Sequence, residues 1–360
     1  MTTATRARTH LTILVVLGSV HLLNDMMQSL IPAVYPILKE AYALDFVQIG
    51  IITMTFQLAG AVILLSVTLI GIGSSIFHPE ATRMARYAGE GRQGLAQGIF
   101  QVGGQAGGAL GPVFAALIIV PWGQSSLAWF ALTALLAMTL LAWIGSKQRQ
   151  ISAEFAAMRA AISKNSAATA QLAPLTIGIG LVVLTFLMFV KNAYNESFRS
   201  FYTFYLIDRF GLSVPSAQMM LFVFLLAAAV GVLIGGIVGD RIGRYRIIWI
   251  SVMGPLPLTL ILPYADLFWT GVLTIAINLI MASAFASILI YAIELLPNRI
   301  GLIGGLFYGL NFGLGGIAAA LLGVLADSYG IQTVYQICSF LPLAGLMIWF
   351  LPRIDEGIGS

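Results

Sequence analysis

His21 and Asp25 are the first residues in the chain whose types and spacing could do chemistry. Both lie inside a long apolar run, residues 12–37, and they are four residues apart. On a helix, that spacing places the two side chains on the same face. A charged group within an apolar helix is costly in lipid and is a candidate functional residue by default. Asp25 could bind and release a proton there, and a structural, hydrogen-bonded aspartate is the alternative.

A second set of charged residues lies further along the chain. Lys191, Glu196 and Arg199 fall within or at the end of an apolar run at residues 174–206. Glu196 and Arg199 are three residues apart, so they could pair on one helix face, and a role in substrate binding or gating is the alternative. Glu294 lies near the end of another run. We interpret it as an anchor at the membrane surface, with proton coupling as the alternative.

His78 and Glu80 form a third group, at the end of an apolar run. As an acid and a base they would suit a membrane-embedded enzyme, which is one alternative for this chain. As metal ligands they would need further partners, because zinc sites use three or four protein side chains. The sequence holds a single cysteine, Cys338, so no cysteine cluster supplies them. We therefore predict no metal and no cofactor.

The composition indicates which elements must position these groups. Apolar residues make up 59% of the 360 residues and charged residues only 9%, with a mean hydropathy of +0.95. Soluble domains carry roughly 25% charged residues, so this chain cannot cover a water-facing surface. The net charge of +4 does not indicate nucleic-acid binding, because the cationic residues cluster between apolar runs. The sequence predicts an all-α integral membrane protein.

Ten apolar runs are long enough to cross a bilayer, for which about 20 residues suffice. The runs are continuous and do not alternate every second residue, which favours helices and excludes a barrel. The predicted spans are residues 12–37, 46–77, 94–121, 126–145, 174–206, 215–238, 246–264, 269–292, 301–325 and 332–351.

Lysine and arginine residues set the orientation of these spans. If the N-terminus is cytoplasmic and the spans alternate, fourteen cationic residues lie on the cytoplasmic side. Only two, Lys39 and Arg209, then lie outside. This bias supports both the number of crossings and their phase, and it places both termini in the cytoplasm.

The longest polar connector divides the chain into two halves. Residues 1–145 are predicted to form a first helical bundle of about four spans. Residues 146–173 form a cytoplasmic linker, and residues 174–360 form a second bundle of six spans.

The two halves resemble each other in sequence. Matches near their starts occur at an offset of 168 residues, as between Asn24 and Asn192, and later matches occur at an offset of 207, as between Gly98 and Gly305. Parallel repeats of this kind are a known transporter design. The difference between 207 and 168 indicates that about 39 residues are missing from the first half.

Residues 46–77 contain the expected junction. They include no charged residue over 32 positions, and as a helix they would span about 48 Å. That length exceeds one crossing and is too short for two crossings and a turn. We predict one long hybrid helix, whose start matches the second span of a complete half and whose end matches the fourth.

Residues 236–246, with the sequence Gly-Ile-Val-Gly-Asp-Arg-Ile-Gly-Arg-Tyr-Arg, lie in a short turn between two spans. The glycines permit a tight turn, and the aspartate could cap a neighbouring helix, where negative charge is favoured. This spacing resembles the signature loop of the major facilitator superfamily. The residues that carry the pattern are Gly236, Asp240, Arg241, Gly243 and Arg244.

Four further stretches narrow the resemblance. They are His21-Leu-Leu-Asn-Asp25, Phe77-His-Pro-Glu80, residues 94–104 and Tyr202-Thr-Phe-Tyr205. Together they are similar to the bacterial fosmidomycin resistance proteins, drug-efflux members of that superfamily, over nearly the whole chain. The resemblance implies a two-bundle fold with twelve spans, of which about ten are present here. It also implies a signature loop in both halves, whereas the first-half loop is absent.

Residues 103–112 are rich in glycine and end in proline. They resemble the fifth-span motif of drug exporters. Ordinary packing of small residues, which lets two helices approach closely, is the alternative.

The resemblance implies a proton-coupled secondary transporter that exports a small drug-like or metabolite molecule, of the fosmidomycin phosphonate type, by alternating access. We expect a monomer in the bacterial inner membrane whose partners are lipid, protons and a small-molecule substrate. A truncated member that no longer transports is the alternative. The proton-coupling candidates are Asp25, placed first, and Glu196, Glu294 and His21. The substrate-binding candidates are Tyr35, Gln57, Gln101, Lys191 and Arg199.

Overall fold

The computed structural model of the protein describes most of the chain. The described residues are 3–58, 77–78, 81–82, 84–85, 93–146, 173–296, 299, 302–303, 306–307 and 311–353. All regular structure in these ranges is helical, and none of them contains a strand. The predicted all-α class is confirmed.

The first half contains five described α-helices of seven residues or more, with the shorter helix Val120–Trp122 and the 3-10 helix Gln124–Phe130 between the fourth and the fifth. They are α1 (Thr3–Ala33), α2 (Tyr35–Ala41), α3 (Phe46–Leu58), α4 (Gln93–Phe114) and α5 (131–146). A break at Val34 separates α1 from α2, and together they form one crossing, Leu11–Ala41. α4 continues through a π-helical turn, Ala115–Ile119. Pro121, which lies just after this turn, has no N–H to donate to residue 117 within it, which favours such a local adjustment.

The second half contains eight described helices and a final 3-10 segment. They are α6 (Pro174–Phe210), α7 (Val214–Ile242), α8 (Arg244–Met253), α9 (Leu256–Ile261), α10 (Leu267–Ala282), α11 (Phe285–Leu295), α12 (Asn311–Tyr329), α13 (Ile331–Cys338) and the 3-10 segment Leu341–Phe350. Several crossings consist of two shorter helices, as where α10 passes into α11 within Leu267–Leu295.

Eight of the ten predicted crossings correspond to helices that are long and apolar enough to span a membrane. The predicted span at 301–325 is described continuously only from residue 311, as α12. The predicted hybrid helix at 46–77 begins as α3, but most of its second part lies outside the described residues. The described helices agree with the multi-pass fold, and the hybrid junction stays a prediction.

Glycines hold α1 and α4 at close range. A Cβ atom on Gly103 would overlap the backbone of Gly18, and one on Gly107 would overlap the backbone of Leu22. The residue numbers of the contacting positions increase in the same direction along both helices, so α1 and α4 run parallel. Leu95, near the start of α4, therefore lies at the same end of the bundle as the start of α1.

The two halves pack together along two helix pairs. α4 of the first half packs on α7 of the second, and α3 packs on α12. At the second contact, a Cβ atom on Gly50 would lie 2.7 Å from the carbonyl oxygen of Ala319. Backbone-to-backbone packing of this kind needs glycine, so these positions fix how closely the halves approach.

The outward faces of the helices are apolar. In α5 the exposed side chains include Leu132 at 69% and Met138 at 64% of their full accessibility. Trp122 and Trp129 pair edge-to-face beside this helix, with ring centroids 4.9 Å apart. Apolar faces with aromatic residues near a helix end are typical of surfaces that contact lipid.

Candidate functional site

The structure brings His21 and Asp25 together with a third residue, His78. The Nε2 atoms of His21 and His78 are 3.0 Å apart. His21 Nε2 lies 3.2 Å from Oδ2 of Asp25, and His78 Nε2 lies 3.7 Å from Oδ1 of the same carboxylate. We call these three residues the His-Asp-His cluster. Both histidines are buried, and the Asp25 side chain is 24% exposed.

The tautomer of His21 follows from its backbone contact. Its Nδ1 atom lies 2.9 Å from the carbonyl oxygen of Phe100 in α4. A carbonyl oxygen can only accept, so Nδ1 must carry a proton. The ring also stacks on the Phe100 ring, with centroids 4.2 Å apart. These two contacts hold Nε2 of His21 directed into the cluster.

Amide donors surround the carboxylate of Asp25. Asn24 Nδ2 donates to Oδ1 at 2.9 Å, and Gln28 Nε2 donates to the same oxygen at 3.4 Å. These donors hold Oδ1 of Asp25 in place, while Oδ2 of the same carboxylate faces His21.

Gly104 of α4 makes room for the cluster. A Cβ atom at this position would overlap the His21 ring at Nε2 and would lie 2.7 Å from Asp25 Oδ2. Gly108, one turn later, has open space where its Cβ would be. The glycine-rich stretch thus packs closely on α1, as the packing alternative predicted, and the resemblance to an exporter motif stays a prediction.

His78 is the member of the cluster that sequence reasoning did not connect to the others. The sequence groups His78 only with Glu80, which lies outside the described residues. His78 is 57 residues from His21, and no local spacing signals that contact. The histidines and the carboxylate can share a proton, and they form a group that could hold a metal ion.

A second polar group lies at the boundary between the halves. The hydroxyl of Tyr35 and the Thr53 hydroxyl are 2.9 Å apart, and the Thr53 hydroxyl lies 3.4 Å from that of Ser200. Tyr35 and Thr53 belong to the first half and Ser200 to the second. Glu196, 5% exposed, is one helical turn before Ser200 on α6, which places both on one face.

The remaining binding candidates are spread over both halves. Lys191 is buried and donates to the hydroxyl of Ser251 at 3.0 Å, a contact within the second half. Arg199 is half-buried on α6, and Gln101 is buried on α4. The backbone of Gln57 belongs to α3, but its side chain lies outside the described part of the chain. Among the described side chains, Tyr35 thus forms its hydrogen bond at the boundary between the halves and Lys191 forms its own within the second half.

The signature loop joins the two halves at one end of the bundle. The carboxylate of Asp240 accepts a hydrogen bond at 3.2 Å from the backbone N–H of Leu95 in α4. Gly243 has a φ of +92°, a conformation that a side chain would strain. Arg244 forms an ion pair with Glu294, and the anchoring interpretation of Glu294 stays a prediction.

A matching contact at the opposite end was not anticipated. Asp327 of α12 accepts hydrogen bonds from the backbone N–H groups of Phe46 at 2.9 Å and Val47 at 2.7 Å. These are the first N–H groups of α3, which have no partner within their own helix. We call the Asp240–Leu95 contact the inner cap and the Asp327 contact the outer cap, following the predicted orientation. Sequence reasoning missed the outer cap because Asp327 is 281 residues from Phe46.

Comparison with known families agrees with this two-halved architecture. The profile of the Major Facilitator Superfamily matches residues 59–320 and 181–359. The chain belongs to the Major Facilitator Superfamily. Its family and its structural neighbours are transporters, which rules out the membrane-embedded enzyme as the interpretation of His78 and Glu80.

Two curated members of the superfamily cover nearly all of the chain. The fosmidomycin resistance protein of Escherichia coli strain K12 is 47% identical, over 97% of this chain and 94% of that protein. An uncharacterised MFS-type transporter of Bacillus subtilis strain 168, YfnC, is 35% identical, over 94% of this chain and 92% of that protein. The resemblance predicted from the motifs is confirmed.

Solved structures of the superfamily share the fold. The E. coli fucose:proton symporter FucP aligns with a TM-score of 0.63 at 14% identity, covering 96% of this chain and 99% of that chain. A bacterial homologue of the human lysosomal transporter Spinster, in an inward-facing conformation, aligns with a TM-score of 0.60 at 14% identity. The alignment covers 95% of this chain and 94% of that chain.

The alignment with the E. coli protein also bears on the predicted gap. It runs for 391 positions, whereas 97% of the 360 residues of this chain is about 349. The difference of about 42 positions has no residue of this chain opposite it. This agrees in size with the 39 residues that the internal repeat indicates are missing.

Proposed function

We propose that this transporter exports a small anionic molecule across the bacterial inner membrane by alternating access, with inward proton flow as the driving force. The observation that carries the proposal is the pair of caps. Asp240 joins the halves at the end where α1 begins, and Asp327 joins them at the end where α2 leads into α3. Releasing one cap while keeping the other would open the boundary to one side of the membrane at a time.

The substrate class rests on a relative and on charge. The E. coli relative is named for resistance to fosmidomycin, a phosphonate. Arg199, half-buried on the α6 helix that carries Glu196 and Ser200, is the cation we place first for an anionic head group. Lys191 comes second, because its hydrogen bond to Ser251 lies within the second half. Tyr35, at the boundary, is a further proposed contact, and Gln57 and Gln101 stay candidates.

Glu196 is the carboxylate that we now place first for proton coupling. It is buried one turn from Ser200, which takes part in the polar group between the halves. A carboxylate at a moving boundary can exchange its proton with one side and then the other. Asp25, placed first from sequence, is held within one half by Asn24 and the two histidines. Glu294 is paired with Arg244.

Uptake into inverted membrane vesicles tests this proposal. Vesicles come from a strain that lacks other exporters, and the substrate is radiolabelled fosmidomycin. We expect accumulation when the vesicle interior is acidic and loss of accumulation when an uncoupler removes the proton gradient. Accumulation that an uncoupler leaves unchanged would exclude proton coupling. The chain is proposed to act as a monomer with both termini in the cytoplasm.

One observation favours a second candidate, a member that no longer transports. The chain lacks about 42 positions of its E. coli relative, enough for a span and a turn. A variant in which the aligned residues of the E. coli protein fill the gap decides between the two. If the restored variant accumulates fosmidomycin and this chain does not, export belongs to complete members only.

A further inference from the structure

We infer that the His-Asp-His cluster binds a divalent transition-metal ion of the zinc class. His21, Asp25 and His78 bring two imidazole Nε2 atoms and a carboxylate together beside α1 and α4. This site does not include Glu196, the carboxylate placed first for proton coupling, or any of the proposed substrate contacts. The inference does not depend on whether the chain transports.

The separations between the ligand atoms fit a bound zinc ion. Zinc binds nitrogen and oxygen ligands at about 2.0–2.1 Å in tetrahedral geometry, which keeps neighbouring ligand atoms roughly 3.3 Å apart. Nε2 of His21 lies 3.0 Å from Nε2 of His78 and 3.2 Å from Oδ2 of Asp25, and the ligand atoms of the three residues all lie within 4.8 Å of one another. A metal ion can therefore bind between them once the His78 ring and the Asp25 carboxylate draw closer together.

The surroundings of the cluster orient its ligands. Histidine ligands of metals usually donate the other ring N–H to a backbone carbonyl or a carboxylate, which fixes the tautomer. His21 does this through Nδ1 to the carbonyl oxygen of Phe100. Asn24 and Gln28 hold the Asp25 carboxylate through Oδ1. Each of these contacts leaves Nε2 of His21 and Oδ2 of Asp25 directed at the proposed ion.

The ligand set selects the class of ion. Two imidazoles and one carboxylate suit zinc, cobalt or nickel, whereas magnesium and calcium require six or more oxygen ligands. Three protein ligands leave the fourth position of a tetrahedral ion for water or another small ligand. Gly104 leaves the space beside Nε2 of His21 and Oδ2 of Asp25 free of side-chain atoms, since any larger residue there would overlap the His21 ring.

Two imidazoles this close can also be held together by a shared proton. Nδ1 of His21 is occupied by Phe100, so the proton between the two Nε2 atoms would replace the metal ion at the same place. Metal and proton would then compete, and zinc affinity would fall as the pH is lowered. Binding measurements at two pH values therefore separate a metal site from a histidine pair that holds only a proton.

Zinc titration of the purified full-length chain in detergent tests the inference. The chain is first treated with a chelator, and binding is followed by competition with a chromophoric zinc indicator. We expect one zinc per chain, with magnesium in large excess failing to displace it. Asp25→Asn, His21→Gln and His78→Gln should each weaken binding by at least 10- to 100-fold, the range found when even supporting residues of metal sites are removed.

A matched pair of glycine variants controls for folding. Gly104→Ala should abolish zinc binding by filling the space beside His21, whereas Gly108→Ala, at a position with open space, should leave it unchanged. Added zinc should also raise the melting temperature of the wild-type chain and of Gly108→Ala only. Absence of stoichiometric binding to monodisperse wild-type protein, or binding unaffected by His78→Gln, would overturn the inference. A negative result in the vesicle uptake assay would not bear on the inferred zinc site.

Discussion

Asp240, in the signature loop of the second half, accepts a hydrogen bond from the backbone N–H of Leu95, near the start of α4 in the first half, at 3.2 Å. The contact joins a negative charge to the end of a helix where partial positive charge collects. It therefore stabilises only those conformations in which the two halves are together at this end of the bundle.

Replacing Asp240 should shift the protein toward conformations that open at the inner end. Asp240→Asn keeps the shape of the side chain but removes the charge, which we expect to cost the closed state about 1 kcal/mol and to change the population ratio about fivefold. Spin labels on Ser146 and Arg241, both exposed and on different halves, would report a longer distance. An unchanged distance distribution would show that the inner cap does not control opening.

Replacing Asp327 should have the opposite effect. Asp327→Ala removes both hydrogen bonds to the start of α3, and the loss of such a cap costs about 0.5–2 kcal/mol. Spin labels on Glu40 and Tyr329, both exposed near the outer end, should move apart. Asp266→Ala is the matched control, because Asp266 caps α10 within its own half through Trp269. The control should lower thermal stability without moving the labels, and movement in both variants would contradict the prediction.

Glu196→Gln should separate proton coupling from substrate movement. The amide is close in size to the carboxylate but cannot carry a proton, so we expect loss of accumulation driven by a pH gradient. Exchange of labelled for unlabelled fosmidomycin, with no gradient, should persist. Asp25→Asn is the comparison in the same vesicles. If Asp25→Asn loses gradient-driven accumulation and Glu196→Gln keeps it, the coupling role returns to Asp25.

Gly103→Ala and Gly107→Ala should destabilise the first half. A Cβ atom at either position would overlap the backbone of α1, at Gly18 or Leu22. Overpacking of this kind costs about 1–3 kcal/mol, which should appear as a lower melting temperature of the purified protein. Gly108→Ala meets open space and should melt like the wild type. Equal melting temperatures for all three variants would show that α1 and α4 are not held at this distance.

Much of the fold follows from the sequence because lipid restricts the choices. Continuous apolar runs must be helical, and eight of the ten predicted runs correspond to crossing helices. Lys39 and Arg209, the two cations predicted outside, lie near the ends of α2 and α6. The repeat predicted about 39 missing residues, and the alignment with the E. coli relative has about 42 positions with no residue of this chain opposite them.

The functional groups were harder to assign, because they depend on contacts between distant parts of the chain. His21 and Asp25 were found together since they are four residues apart on one helix. His78 lies beside them in space but 57 residues away from His21 in sequence. The expected role of Lys191 did not include Ser251, 60 residues away. Helical spacing gives the face on which a side chain lies, but only packing between helices gives its neighbours.

The two halves contribute different kinds of group to the two caps. Within the described residues, Asp240 and Asp327 both come from the second half, while the first half contributes only backbone N–H groups at Leu95, Phe46 and Val47. Nearly every amino acid supplies a backbone N–H. The side chains at those first-half positions can therefore drift during evolution at little cost to the caps, provided the two helices still begin there. Selection on the caps should accordingly act on two aspartates, both in the second half.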